Sequence, residues 1–258
     1  MTTHISSHQR INILGVNISA INMAQAVEIV TGYIASHEST YVCVTSAHGV
    51  MECQHDPTLC NIFNSSGLTT PDGISIVWLL RLKGFRNVSR VYGPDLMLAV
   101  CERSNRQGGF SHYFYGGEPG VPETLAATLQ ARFPKLQVAG TYSPPFRTLT
   151  PEEDQDVIRR INATHPDIIW VGISTPKQER WMAEHIGHLT APVLIGVGAA
   201  FDFISGNKRQ APYWMQRSGL EWLFRLATEP RRLWRRYAQY PLFAMLVLAQ
   251  ELGIKRYP

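Results

Sequence analysis

Apolar residues along this chain fall into two rhythms. Short β-branched or aromatic runs at residues 41–45 (YVCVT), 111–116 (SHYFYG), 138–141, 167–172 (DIIWVG) and 193–198 (VLIGVG) read as strands, the 167–172 run as one buried on both faces. Between them apolar positions recur at helical spacing. In 22–36, Met23, Ala26, Val27, Val30, Tyr33 and Ile34 share one face. Further helices are expected over 49–64 with an interruption near Pro57, over 74–82, and from Tyr92 with Leu96, Met97 and Val100 inward. Three more run from the turn at 116–120 to Arg132, from Thr150 to Ala163, and from Thr175 to Ile186. Pro151 at a first helical position, ahead of Glu152 and Glu153, marks a helix start. Residues 11–18 read as a short strand with a turn at Gly15, and residues 67–73 (GLTTPDG) as a loop. Strands alternating with helices predict an α/β fold: a mainly parallel sheet with helices on both faces.

The rhythm changes after Gly206. Residues 212–228 and 229–252 read as helical stretches with no strand between them. Two parts follow: a core of residues 1–206 and an appendage of residues 207–258. In the appendage Trp214, Met215, Leu220, Leu223 and Leu226 are available for one face, and Arg231, Arg232, Arg235 and Arg236 cluster within two turns. Pro241 then introduces the apolar run 242–249 (LFAMLVLA), too short to span a bilayer.

Charge sharpens that division. Residues 207–258 hold ten Lys or Arg against three Asp or Glu, and the preceding 206 residues hold fourteen against seventeen, so a net +7 follows a net −3. A basic tail carrying Trp214, Trp222, Trp234, Tyr237 and Tyr240 suits an anionic surface. The acidic core and the apolar end of the tail argue against nucleic acid as the partner. The 45% hydrophobic content is enough for a packed core. Four cysteines without a CxxC pair favour a reducing compartment, and the start of the chain (MTTHISSHQR) has no apolar signal region. The expected location is cytoplasmic, peripheral on the inner face of the membrane.

Sheets of this class bind ligands beyond the carboxyl ends of their strands. Three strand ends carry suitable loops. Gly116 and Gly117 open a glycine-rich turn whose amides are candidates for a phosphate, or for an ordinary tight turn. Lys177 and Gln178 lie in the first turn of a helix, beside the positive end of its dipole, and read either as a diphosphate pocket, the favoured reading, or as a plain N-cap. Asp202, between Phe201 and Phe203, is placed either to bind ribose hydroxyls or a base edge, or to cap a helix. Asp72, in TTPDG, sits on a loop stiffened by Pro71 and opened by Gly73. It is a general-base candidate, although Pro-Asp-Gly alone reads equally as a turn. His48 follows a strand and faces either the cleft or the core. The Asp154-Gln-Asp156 spacing falls at a helix start rather than a strand end, and Cys53, His55 and Cys60 lack paired zinc spacing, so no metal is expected.

The motif series TPDG (70–73), YGPDL (92–96), FYGG (114–117), GISTPKQERWM (172–182), GVGAAFDFISG (196–206) and RQAPYWMQRSGLEWLFRLATEPRRLWRRY (209–237) resembles the WecG/TagA/CpsF family of bacterial glycosyltransferases over nearly the whole chain. The resemblance implies a Rossmann-like core binding a UDP-sugar and a C-terminal membrane-docking appendage. It further implies metal-independent, inverting transfer to a sugar on a polyprenyl diphosphate, in surface or exopolysaccharide biosynthesis. On that basis Asp72 is the general base and Thr45 a polar position near it. Gln178 and Asp202 lie on the nucleotide side, and Arg225, Arg232 and Arg235 close over the diphosphate leaving group. Many relatives carry Asn in a T-x-N motif where this chain has Thr45-Ser46-Ala47 followed by His48. A hexose, an N-acetylhexosamine or its uronic acid all fit as the transferred sugar. A homo-oligomer would bury apolar residues of a short appendage. The competing class is a nicotinamide-dependent oxidoreductase on a similar sheet; the missing GxGxxG sequence argues against it.

Overall fold

Residues 11–18 do not run on as one strand. They fold back as a hairpin, β1 (Arg10–Ile13) antiparallel to β2 (Val16–Ser19), outside the main sheet. The two-residue turn holds Leu14 and Gly15 at positive φ, 52° and 88°, the left-handed pair that suits strand twist. The computed structural model describes residues 8–107 and 109–257. Residues 1–7, part of the N-terminal stretch read above, lie outside them. Arg10 fastens the hairpin to the body: its guanidinium donates to the carbonyls of Phe63, Asn64 and Ser66 and to Thr69 Oγ1 at 2.7 Å.

The first half continues with α1 (Met23–Ser36), β3 (Thr40–Thr45), α2 (Ala47–His55), α3 (Pro57–Ser65), β4 (Leu68–Pro71), α4 (Ile74–Leu82) and α5 (Gly93–Gln107). Asn22 and Gln25 form a capping box at the start of α1, whose buried face is Ala26, Ile29, Val30, Tyr33 and Ile34. The expected interruption near Pro57 is the α2–α3 junction, where the Asp56 side chain accepts the Leu59 amide. The second half is β5 (Ser111–Gly116), α6 (Val121–Arg132), β6 (Gln137–Tyr142), α7 (Pro151–Asn162), β7 (Ile168–Gly172), α8 (Lys177–His185), β8 (Val193–Gly196) and α9 (Ala200–Ile204).

Six strands form one parallel sheet in the order β4-β3-β8-β7-β5-β6. Along β7, Ile169 and Val171 face one apolar layer while Ile168 and Trp170 face the other. The first layer is closed by α2, α3, α4, α7 and α8, the second by α1, α5, α6 and α9. The α/β expectation is borne out. One loop was misjudged: residues 68–71 are β4, paired with β3 in the register Val42↔Leu68. Its Thr69 and Thr70 are fully buried, and their hydroxyls find partners inside, Thr69 with Ser66 and Arg10 and Thr70 with the Val91 carbonyl.

The C-terminal region is four short helices rather than two long ones: α10 (Tyr213–Arg217), α11 (Glu221–Thr228), α12 (Pro230–Tyr237) and α13 (Tyr240–Glu251). Gly219, at φ 78°, and prolines at the starts of α12 and α13 make the breaks. The last helix returns to the body. Phe243 and Val247 join the first apolar layer, and Gln250 Oε1 accepts the Leu14 amide at 3.0 Å. Among the described residues no helix is long and apolar enough to cross a membrane.

Candidate active site

The carboxyl ends of β3, β4, β7 and β8 open into one cleft of about 1510 Å³. Its floor includes Val44, Ser46, Gly117, Gly172 and Val197; α11 and α12 form the facing wall. Of the residues singled out from sequence, His48, Asp72, Gly117, Lys177, Gln178, Asp202, Arg225, Arg232 and Arg235 line this cleft. Thr45 and Gly116 do not. The Thr45 side chain is buried beneath the floor with no hydroxyl partner among the described residues, while its carbonyl accepts the Asp72 amide at 2.8 Å. Gly116 lies where β5 meets β7, and a Cβ there would stand 2.6 Å from the Gly172 backbone. The Gly117 amide is committed to the Gly172 carbonyl at 3.1 Å, so this turn does not offer that amide to a phosphate.

Asp72 sits just past β4, with its amide fixed to Thr45 and its carbonyl accepting Arg90 Nε at 2.5 Å. One carboxylate oxygen lies 3.4 Å from Arg90 Nη2. Loss of water pushes this carboxyl above the ordinary aspartate range, against the opposing pull of Arg90; Glu221 adds to the rise, and Arg225 and Arg236 oppose it. The result is a carboxylate more basic than one in water. Arg90 and Glu221 were missed from sequence because nothing local to either marks the pairing.

The cationic wall differs in detail from the expected set. Arg225 and Arg236 each bury an Nε with no partner among the described residues, and both guanidinium groups act on Asp72 and His48. Burial, with Arg225 second, lowers the Arg236 pKa, but an arginine in a protein stays charged. Arg232 is paired with Glu229 at 2.7 Å, and Arg235 lies exposed over the Trp234 ring. The arginine that acts on Asp72 beside Arg225 is thus Arg236, which the sequence marked only as one of a cluster. His48, buried first and then repelled by Arg236 and Arg225, has its pKa pushed down to about 3, so it is neutral at pH 7.

On the opposite side Gln178 is 2% exposed, with Nε2 donating to Glu179 Oε1 at 3.0 Å and Oε1 without a partner among the described residues. Lys177 is exposed at the start of α8, its ammonium 4.9 Å from the Phe146 ring. Asp202 is not a cap: it lies inside α9, paired with Lys208 at 3.1 Å, and Lys208 reaches on to Glu229 of the C-terminal region. Asp154 meets His185 Nε2 at 3.0 Å and Asp156 pairs with Arg159, so both carboxylates of that spacing are engaged by neighbours.

An open parallel sheet with a polar cleft across its carboxyl ends, lined by carboxylates that include Asp72 and Asp202 and faced by a wall carrying Arg225, Arg232, Arg235 and Arg236, defines an α/β protein with a ligand site at the usual place for its class. The chain belongs to the Glycosyl transferase WecG/TagA/CpsF family, whose profile matches residues 11–257, and is a glycosyltransferase. It is 32% identical over 203 residues to the N-acetylglucosaminyldiphosphoundecaprenol N-acetyl-beta-D-mannosaminyltransferase of Bacillus subtilis (strain 168), covering 76% of this chain and 74% of that protein. It is 28% identical over 221 residues to the protein of the same description from Bacillus spizizenii (strain ATCC 23059 / NRRL B-14472 / W23), covering 86% and 83%. Family membership leaves the oxidoreductase alternative without support.

Proposed function

We propose that this chain transfers a hexose, an N-acetylhexosamine or its uronic acid from a UDP-sugar to a saccharide carried on a polyprenyl diphosphate, with inversion and without a divalent metal. The setting is assembly of bacterial surface polysaccharide or exopolysaccharide. The observation that carries this reading is Asp72, a largely buried carboxylate of raised basicity, lining one cleft with Arg225 and Arg236, whose charges act on it. The names of the relatives support an acceptor of the diphosphoundecaprenol type.

In this mechanism Asp72 takes the proton of the acceptor hydroxyl as its oxygen attacks the anomeric carbon. The bond from that carbon to the diphosphate oxygen breaks on the far side, and UDP departs with the electron pair. Negative charge grows on the diphosphate, and Arg225 and Arg236 offset it, with Arg232 and Arg235 at the mouth of the cleft. Gln178, Lys177 and Asp202 serve the nucleotide side. His48, held neutral, adds no competing charge. The four C-terminal helices act as an appendage to the core of residues 1–206: they complete the site and dock on an anionic membrane surface. Their exposed Trp214, Trp234, Met245, Leu248 and Leu252, with nearby basic residues, suit the inner face of a bilayer.

The test is a panel of UDP-sugars, UDP-N-acetylmannosamine first, offered with undecaprenyl-diphosphate-linked N-acetylglucosamine. The Asp72→Asn variant is expected to lose transfer by about 10² to 10⁴-fold while UDP still raises its melting temperature. Undiminished transfer by that variant removes Asp72 as the base.

A further inference from the structure

Arg90 stands between two carboxylates that come from opposite parts of the molecule. It lies on the segment linking α4 to α5, fixed beside β4 by the Val91 amide donating to the Pro71 carbonyl at 2.9 Å. Its Nη2 is 3.4 Å from Asp72 Oδ1 but 2.7 Å from Glu221 Oε2. Glu221 is the first residue of α11, and its other oxygen accepts the Tyr92 hydroxyl at 3.3 Å. Tyr92 and Glu221 are 129 residues apart in the chain. The Arg90 guanidinium also lies 4.0 Å from the centre of the Tyr92 ring, which fixes its plane. All three charged side chains are largely withdrawn from water, at 22% exposure for Asp72, 18% for Arg90 and 13% for Glu221.

The closer ion pair is therefore the one to the C-terminal region. An arginine paired with Asp72 alone would hold that carboxylate as a tight, weakly basic ion pair. We propose that Glu221 is a positioning residue for the transfer step: by seating on Arg90 it draws the guanidinium away from Asp72 and so sets the strength of the base when the C-terminal helices are in place. This rests on the reading of Asp72 as the base. The consequence is an interlock. The same α11 that brings Arg225 to the departing diphosphate brings Glu221 to the base, so neither half of the chemistry is complete without the other. The groups facing Asp72 are Arg90 and Tyr92 from the α4–α5 link, Glu221 and Arg225 from α11, Arg236 from α12 and Tyr240 from α13, with Asp95 of α5 near Arg90. Glu221 is the one carboxylate among them that comes from the C-terminal region.

The test reads the Asp72 carboxyl directly, without a sugar substrate. Full-length protein labelled at aspartate ¹³Cγ is titrated by NMR, the signal assigned through Asp72→Asn, and amide hydrogen exchange of α11 and α12 is followed on the same samples. Glu221→Gln keeps the shape of the side chain and removes its charge. It is expected to lower the Asp72 titration by about one pH unit, with exchange in α11 and α12 unchanged. Glu221→Asp, which withdraws the charge by one methylene, is expected to fall between; it decides the matter alone if the Gln variant does not fold. An unmoved titration overturns the proposal. So does a titration that moves only together with faster exchange across α11 and α12, since that reports release of the helices rather than sharing of Arg90. If Asp72→Asn retains transfer while Glu221→Gln still shifts the titration, the base assignment fails and the charge coupling stands.

Discussion

The sheet and the C-terminal helices are held by different forces. In the sheet, Ile168, Ile169, Trp170 and Val171 are all fully buried, and two apolar layers close over them. In the C-terminal region α10 and α11 bury no residue fully, and α12 and α13 bury two each. Apart from Phe243 and Val247, which join the first apolar layer, what fixes these helices is a set of discrete contacts. Glu221 reaches Arg90, Glu229 reaches Asp202 of the core through Lys208, the edge-on rings of Trp222, Tyr237 and Tyr240 pack together, and Gln250 bonds to the hairpin. Burial is non-directional and collective, whereas ion pairs and single hydrogen bonds contribute little each but specify geometry. The core is thus built to persist, and the helical region to be placed.

The sharpest break of that comparison is in the middle of the sheet. Trp170→Ala removes a side chain of zero exposure and also leaves His112 Nδ1, which accepts the indole N–H at 3.0 Å, without its partner. A loss of about 3 to 5 kcal/mol is expected, read as a lowered midpoint in urea with the slope unchanged. A loss below about 1 kcal/mol would mean that the core is not carried by these strands.

The matching test on the helices predicts the opposite profile. Trp214 and Trp234 are 63% and 53% exposed, so replacing both by serine is expected to change stability by less than about 0.5 kcal/mol. Binding to vesicles containing about 30% anionic phospholipid is expected to fall by about tenfold or more, measured by co-sedimentation. Unchanged binding would show that these aromatics do not enter the interface. Loss of stability instead would show that they pack against the body.

The same contrast explains what could be read from sequence. Strands such as Ile168–Gly172 and Val193–Gly196 announce themselves because both faces are buried, so their positions are filled by apolar residues and glycine. The strand β4 hid because it is four residues long and two of them are threonines, whose hydroxyls are satisfied by Ser66, Arg10 and the Val91 carbonyl. Asp72 stood out through its proline and glycine neighbours together with the family resemblance. Its partners did not: Arg90 and Glu221 lie on unrelated elements, and only the packing of α11 brings them together. Helical spacing drew attention to the arginine cluster 231–236 but not to which member turns inward. That choice depends on the α11–α12 bend at Glu229-Pro230, which local pattern does not encode.

Two histidines carry the comparison down to the level of single protons. His112, in β5, and His48, at the start of α2, both have pKa values pushed down to about 3. For His112 the cause is burial alone; for His48 burial comes first, followed by repulsion from Arg236 and Arg225. Each is neutral in the folded chain and takes up a proton near pH 6.5 once unfolded. The unfolded state therefore binds more protons between about pH 6.5 and pH 3, and the stability that each neutral imidazole supports is present above 6.5 and lost as the pH falls toward 3. Salt separates the two. At 1 M the screening length shrinks to about 3 Å, which weakens the arginine field in the open cleft but leaves a sealed core untouched. Imidazole NMR signals followed from pH 7 toward pH 4 are expected to show His48 beginning to protonate about half a unit earlier in 1 M NaCl than in 0.05 M, with His112 unmoved. Arg236→Gln is expected to reproduce the salt effect at low ionic strength. If His112 moves with His48, the C-terminal arginines are not what distinguishes the cleft from the core.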